Sequence, residues 1–249
     1  MAINFPTSLD NFTNPVSGNT LDSPSHSLQH SDINDAVEAM QRKVGVGTAV
    51  AGSASAGQVL TISAAGTSTW STPSPGGLVQ IVPTSVAVGS GSGSVDANGA
   101  VTFSTASSLS LNDVFSASYD NYRIILTGNL SSNVEVKLRY RVSGADNSTA
   151  NYNFQRLSGS STTVSAARTT GATSQDFCIW DANLSSAQLE IFRPFLTEAT
   201  GSYAIGAADG VTTQNFAGRF SGATSFTGFT IFPTSGTITG SMRVYGYKN

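Results

Sequence analysis

The stretch VEVKLRYRV, residues 134–142, carries the clearest structural signal in the chain. Val134, Val136, Leu138, Tyr140 and Val142 fall on one side of an extended backbone, and Glu135, Lys137, Arg139 and Arg141 on the other. A period of two is that of a β-strand, whose successive side chains point to opposite faces. One face therefore belongs to a core and the other to water. Related runs flank it: LVQIV (78–82), AVTFS (100–104), YRIILTG (122–128), QDFCIW (175–180), AQLEIFR (187–193), FTGFTIF (226–232) and SMRVYGY (241–247). Turn-forming Gly, Asn, Asp and Ser separate them, and no helix-length period intervenes. Residues 78–249 read as an antiparallel β-sandwich, jelly-roll-like, with enough length to bury a core.

Composition agrees with a mainly β chain. Charged residues make up 11% of the 249 and apolar residues 39%, against roughly one quarter charged in ordinary globular domains. Ser, Thr, Gly and Asn fill the difference. They are poor helix material, because Gly loses much backbone entropy and the others compete for backbone hydrogen bonds. With 12 Lys and Arg against 15 Asp and Glu, the net charge of -3 gives no footprint for a phosphate backbone, so nucleic acid is not an expected partner. The start, MAINFPTSLDNF, has neither a basic nor an apolar leader segment, and no run is long enough to span a bilayer. Assembly in the cytoplasm without membrane insertion is the expectation. The single Cys178 makes no intrachain disulfide, which leaves stability to burial or oligomerisation.

The first 77 residues differ from the rest. Residues 1–30 hold Pro6, Pro15, Pro24 and Gly18 with no sustained periodicity, yet Ile3, Phe5, Leu9, Phe12, Val16 and Leu21 recur through them. Such a segment forms no core of its own. It is either a disordered leader or an extended arm whose apolar residues plug into a larger partner, and the recurrence favours the arm. Residues 31–45, SDINDAVEAMQRKVG, read as a helix capped by Ser31 or Asp32 and stopped at Gly45. Ile33, Val37, Met40 and Val44 are spaced four, three and four, the a/d seam of a coiled coil. A helix this short is marginal alone and needs its own copies or a neighbouring domain to cover the seam. Residues 46–77 are a Gly, Ser and Thr-rich shaft interrupted by GQVLTISAAGTSTW. A β hairpin turning near Ala65 and Gly66 accounts for Val59, Leu60, Ile62 and Trp70, with Trp70 set against a neighbouring copy. The run PSPGG, residues 73–77, punctuates the boundary.

These segments carry a resemblance. LDSPSHSLQHSDINDAVEAMQRKVG resembles the helix-forming N-terminal motif of tailed-bacteriophage fibre and appendage proteins, with its two histidines, Asn-Asp-Ala and closing Val-Gly. GQVLTISAAGTSTW is similar to a short shaft element ending in Trp in such fibres. SYDNYRIIL and FPTSGTITGSMRVYGYK resemble parts of their β-sandwich tips, which look like complement and tumour-necrosis-factor jelly rolls. The order of anchor, helix, shaft and sandwich is more specific than any one motif. The resemblance implies an elongated homotrimeric virion fibre, attached through its N-terminus to head, collar or tail proteins, with a distal tip for host-surface glycans. A capsid or collar decoration without receptor binding is the alternative, and a polysaccharide depolymerase a more remote one.

No catalytic constellation emerges. Glycoside hydrolysis needs two carboxylates flanking the bond, about 5 to 10 Å apart. Asp120, Glu135, Asp146, Asp176, Asp181, Glu190, Glu198 and Asp209 are sparse and follow no motif. Both histidines, His26 and His30, precede the sandwich, which leaves it no Ser-His-Asp triad. Brought together in a trimer they are weak candidates for a metal, with packing at the helix start as the preferred reading. Cys178 reads as a small core residue, and no cofactor motif is present. For receptor binding, ADNSTANYNFQR offers Asn151, Tyr152, Asn153 and Arg156 in a loop, against the alternative that Tyr152 and Phe154 belong to a core or interface.

Overall fold

A computed structural model describes residues 17, 30, 33–38, 40–41, 54–62, 67–73, 76–208 and 212–248. The chain divides into two units, Met1–Ser74 and Pro75–Asn249, and the division falls inside the PSPGG run.

In the first unit, residues 30, 33–38, 40 and 41 are helical. Strands β1 (Val59–Ile62) and β2 (Ser68–Ser71) pair antiparallel as the expected hairpin. Leu60 stands opposite Trp70 and Ile62 opposite Ser68, a register centred on residue 65. The turn itself, with Ala65 and Gly66, lies outside the described residues, as do Val44, His26 and the six apolar arm residues Ile3, Phe5, Leu9, Phe12, Val16 and Leu21.

The second unit is built of antiparallel strands. In chain order they begin with β3 (Leu78–Ile81), β4 (Ser85–Val88), β5 (Ser92–Val95), β6 (Val101–Ala106), β7 (Leu109–Asn112), β8 (Asn121–Leu130) and β9 (Val134–Val142). There follow β10 (Ala145–Asp146), β11 (Tyr152–Ser160), β12 (Thr163–Ala172), β13 (Gln175–Trp180) and β14 (Ser185–Phe192). The series closes with β15 (Thr200–Ala208), β16 (Thr212–Phe220), β17 (Gly228–Pro233) and β18 (Ile238–Tyr247). The smaller sheet runs β4-β7-β17-β9, with β13 and β10 sharing the far side of β9. The larger runs β12-β11-β16-β15-β14-β8-β18, with β6 beside the first half of β18 and β3 beside the second; β5 adds to β6. The larger sheet curls as a half-barrel against the smaller, and one core fills the space between.

β9 behaves as its alternation requires. Val136, Leu138 and Tyr140 are buried, while Val134 and Val142, at its ends, are half-buried and exposed. Each charge on the other face has a partner. Lys137 pairs with Asp176 on β13 and Arg141 with Asp146 on β10. The Arg139 guanidinium lies over the Phe232 ring at 4.7 Å, and Glu135 lies 3.6 Å from Arg156.

Tyr152 ties the two sheets together. It projects from β11 of the larger sheet into a cluster with Tyr140 of β9, Phe220 and Phe226, at centroid distances between 4.7 and 6.2 Å. Its hydroxyl accepts from the Tyr140 backbone N–H at 3.0 Å and donates to the Asn147 carbonyl at 2.8 Å. Close packing at such a seam is unforgiving of polar groups left unpaired. The Tyr152→Phe variant keeps the ring but orphans one donor and one acceptor, and a loss of roughly 1–3 kcal/mol of unfolding free energy is expected. Urea denaturation of both chains measures it; an unchanged midpoint would remove the hydroxyl from the account.

Candidate functional site

The receptor stretch expected from the sequence is a loop only in part. Only residues 147–151 are a connection, because β11 begins at Tyr152. Alternation along β11 sends Tyr152 and Phe154 into the core, where Tyr152 is 0% exposed and presents no ring to a ligand. Asn153 is spent on the turn: its amide nitrogen donates to the Asn151 carbonyl and its oxygen accepts from the Gly171 N–H. Arg156 faces Glu135 across the sheets. Asn151 accepts from the Ser221 N–H through its carbonyl. The hydrogen bonds and ion pair of Asn151, Tyr152, Asn153 and Arg156 hold this corner together.

A better-shaped cleft of about 230 Å3 lies between the β7–β8 and β14–β15 connections, lined by Tyr119, Asp120, Arg193, Phe195, Leu196 and Thr197. Its walls are fixed from within the fold. The Tyr122 hydroxyl accepts from the Ser116 N–H at 2.7 Å and donates to the Ser116 carbonyl at 3.0 Å, which pins the first connection. The Tyr119 ring lies against Gly246 of β18, where a Cβ would come within 2.4 Å of the ring. On the opposite wall Arg193 holds a left-handed backbone, φ 56°, a conformation uncommon for a residue with a side chain. Its N–H donates to the Asp120 carbonyl at 2.8 Å, and its guanidinium meets Glu198 at 2.9 Å. The Ser225 hydroxyl donates to the Phe195 carbonyl, and the Phe226 N–H to the Pro194 carbonyl at 2.8 Å. The result is a rigid recess with two half-buried aromatic rings, one exposed carboxylate-bearing residue and one exposed cation. Such a set can bind a polar molecule with an apolar face. Sequence reasoning passed over it because its halves stand more than 70 positions apart.

A second concavity, about 330 Å3, opens on the outer face of the larger sheet among Ile125, Ser186, Gln188, Ile205, Ala207 and Thr213. It is shallow, and charged side chains are absent from its lining.

Of the acids weighed for catalysis, Glu135, Asp146, Asp176, Glu190 and Glu198 each pair with a basic residue, and Asp181 accepts from the Asn183 N–H. Asp209 lies outside the described residues. No group of three metal-ligating side chains and no helix long and apolar enough to cross a membrane occurs among the described residues. In the helical segment Ile33 and Met40 are 62% and 61% exposed, Val37 is half-buried, and Trp70 of the hairpin is half-buried.

No protein-family model and no curated protein matches the chain. Among solved structures, a protein of unknown function from Shewanella oneidensis MR-1 is similar at 7% identity over 69% of this chain and 78% of that chain, with a TM-score of 0.28.

Cys178 is wholly buried on β13, and burial pushes its thiol well above the ordinary value. Burial raises the phenols of Tyr140 and Tyr152 in the same way. In the unfolded chain these groups titrate near 8.5 and 10, so at higher pH the unfolded state releases protons that the folded state keeps. Their contribution is complete below the unfolded values and falls by about 1.4 kcal/mol per pH unit per group above them. Thermal unfolding followed from pH 7 to 11 should show a melting temperature that declines from about pH 9, with the earliest part absent in Cys178→Ala. A flat profile to pH 11 would contradict the burial of all three groups.

Proposed function

We propose that this chain is a structural component of a tailed-phage virion: a homotrimeric fibre that docks by residues 1–30 on another virion protein and presents its sandwich outward for host-surface attachment. The observation that carries the reading is the uncovered helical seam, where Ile33 and Met40 are mostly open to solvent in a single copy. Apolar side chains at a/d spacing on a short helix gain stability only when a matching surface covers them, and copies of the same helix supply one. Trp70, half-buried on its two-stranded hairpin, fits the same picture, since an isolated hairpin is marginal in water. The order of arm, helix, hairpin and sandwich supports the comparison with fibre proteins.

For attachment, the Tyr119–Arg193 cleft is the favoured receptor site in place of the 151–156 stretch. Its rings, carboxylate and guanidinium suit a saccharide, which offers an apolar ring face and many hydroxyls. A decoration fibre without receptor binding is the second reading, favoured if the cleft is silent.

Light scattering of the full chain at micromolar concentration should return three times the 25.6 kDa of one chain; a well-folded monomer overturns the proposal. A chain lacking residues 1–30 should remain a soluble trimer and fail to join particles, whereas undiminished incorporation would exclude the arm as anchor. On host cells or a glycan array, Tyr119→Ala should lower binding at least tenfold, and an intact chain that binds nothing would leave the decoration reading.

A further inference from the structure

The charges of the Tyr119–Arg193 cleft do not cancel. Asp120 is exposed, and among the described residues its carboxylate pairs with no basic group. What holds Asp120 in place is its backbone, whose carbonyl accepts from the Arg193 N–H at 2.8 Å. Its side chain has no part in that contact and is left to a ligand. The cation across the cleft stands differently. The Arg193 guanidinium already meets Glu198 at 2.9 Å, and that carboxylate offsets its charge. Asp120 and Glu198 against Arg193 give the recess one negative charge in excess.

The uncharged lining narrows the ligand further. Tyr119 and Phe195 both line the cleft, half-buried and packed against the core. Aromatic faces accept an apolar CH surface and also attract a cation. The volume of about 230 Å3 lies below the roughly 300–1,000 Å3 of pockets that enclose drug-sized ligands. One ring or end group fits there, and a length of chain does not. A carboxylate, two aromatic rings and room for a single unit together select a small organic cation with an apolar face. Among saccharides that description belongs to an amino sugar whose amine is not acylated. A uronate would set like charge against Asp120 and find the Arg193 charge already offset.

We propose that the Tyr119–Arg193 cleft takes a terminal amino sugar with a free amine, its ammonium on the Asp120 carboxylate and its ring against Tyr119 and Phe195. The inference rests on the attachment reading above and adds to it the chemical class of the saccharide. Arg193 serves in it as a wall of the recess and not as a hook for anions. An amine without a sugar ring carries the same ammonium, and the experiment separates the two.

The full chain is applied to an array of oligosaccharides ending in glucosamine, N-acetylglucosamine, glucose or glucuronate, with a plain aminoalkyl chain beside them. At low salt, glucosamine ends should bind about three- to tenfold better than N-acetylglucosamine ends, the range between an exposed ion pair and a charged hydrogen bond. Glucuronate ends should bind least, and the glucosamine advantage should shrink as salt rises. Asp120→Asn keeps the shape and removes the charge, and the side chain holds no other element of the fold, so thermal unfolding should be unchanged. In that variant glucosamine ends should fall to the N-acetylglucosamine level while the neutral ends keep theirs. Equal binding of the acetylated and free amines, or a preference that survives Asp120→Asn, would overturn this inference and leave a saccharide site of another class. Aminoalkyl binding equal to that of glucosamine would remove the sugar ring from the recognition and sink it as well. An array silent at every saccharide would overturn the attachment reading together with this inference.

Discussion

The sandwich depends on a phenol that crosses from one sheet to the other. Tyr152 leaves β11, stacks at 5.9 Å on Tyr140 and closes the Tyr140 N–H with its own oxygen. Phe220 stands edge-on to Tyr152, Tyr140 and Phe226, while Phe226 stacks on Tyr140, so the seam is filled by both stacked and edge-to-face rings. The same residue fixes the 147–151 connection through the Asn147 carbonyl. A side chain given over to this many constraints has none left for a ligand, which is why the corner that carried the aromatic residues of the expected receptor loop became core.

Large and small residues are matched across the gap between sheets. On β15 the inward positions are Thr200, Ser202, Ala204, Gly206 and Ala208, none of them bulky. Opposite stands β13 with Phe177, Cys178 and Trp180, all buried. A Cβ on Gly206 would already touch the Cys178 Cβ at 3.4 Å. Side chains that interdigitate to native density must alternate in size in this way, and the small partner is fixed by the large one. Of the polar members of the layer, Gln175 and Ser202 exchange hydrogen bonds at 2.7 and 3.0 Å, while Thr200 Oγ1 and Trp180 Nε1 are buried without a hydrogen-bond partner.

The outer surfaces of the two sheets differ in charge and exposure. Charges on the smaller sheet are tied to one another, a finish suited to water. The larger sheet carries uncharged rows and a hairpin exposed on both faces, a finish that leaves apolar area uncovered. The recess of Tyr119, Asp120, Arg193 and Phe195 is of a third kind, with fixed walls and mixed chemistry. One domain thus carries outer surfaces of different character, because alternation assigns every outward side chain independently of the core behind it.

The sequence by itself determined the mainly β character, the alternation of β9, the hairpin at residues 59–71 and the strands rich in large apolar residues, such as QDFCIW and SMRVYGY. These were legible because a period of two among bulky side chains is a local property. Only the tertiary structure decided that β12, β15 and β16 are strands, that Tyr152 belongs to the core, and that residues near 120 and 195 share one cleft. Small inward residues and fully exposed strands leave no periodic hydrophobic mark. Their conformation is imposed by the neighbours they pair with and by the bulky side chains they face, and both lie far away along the chain.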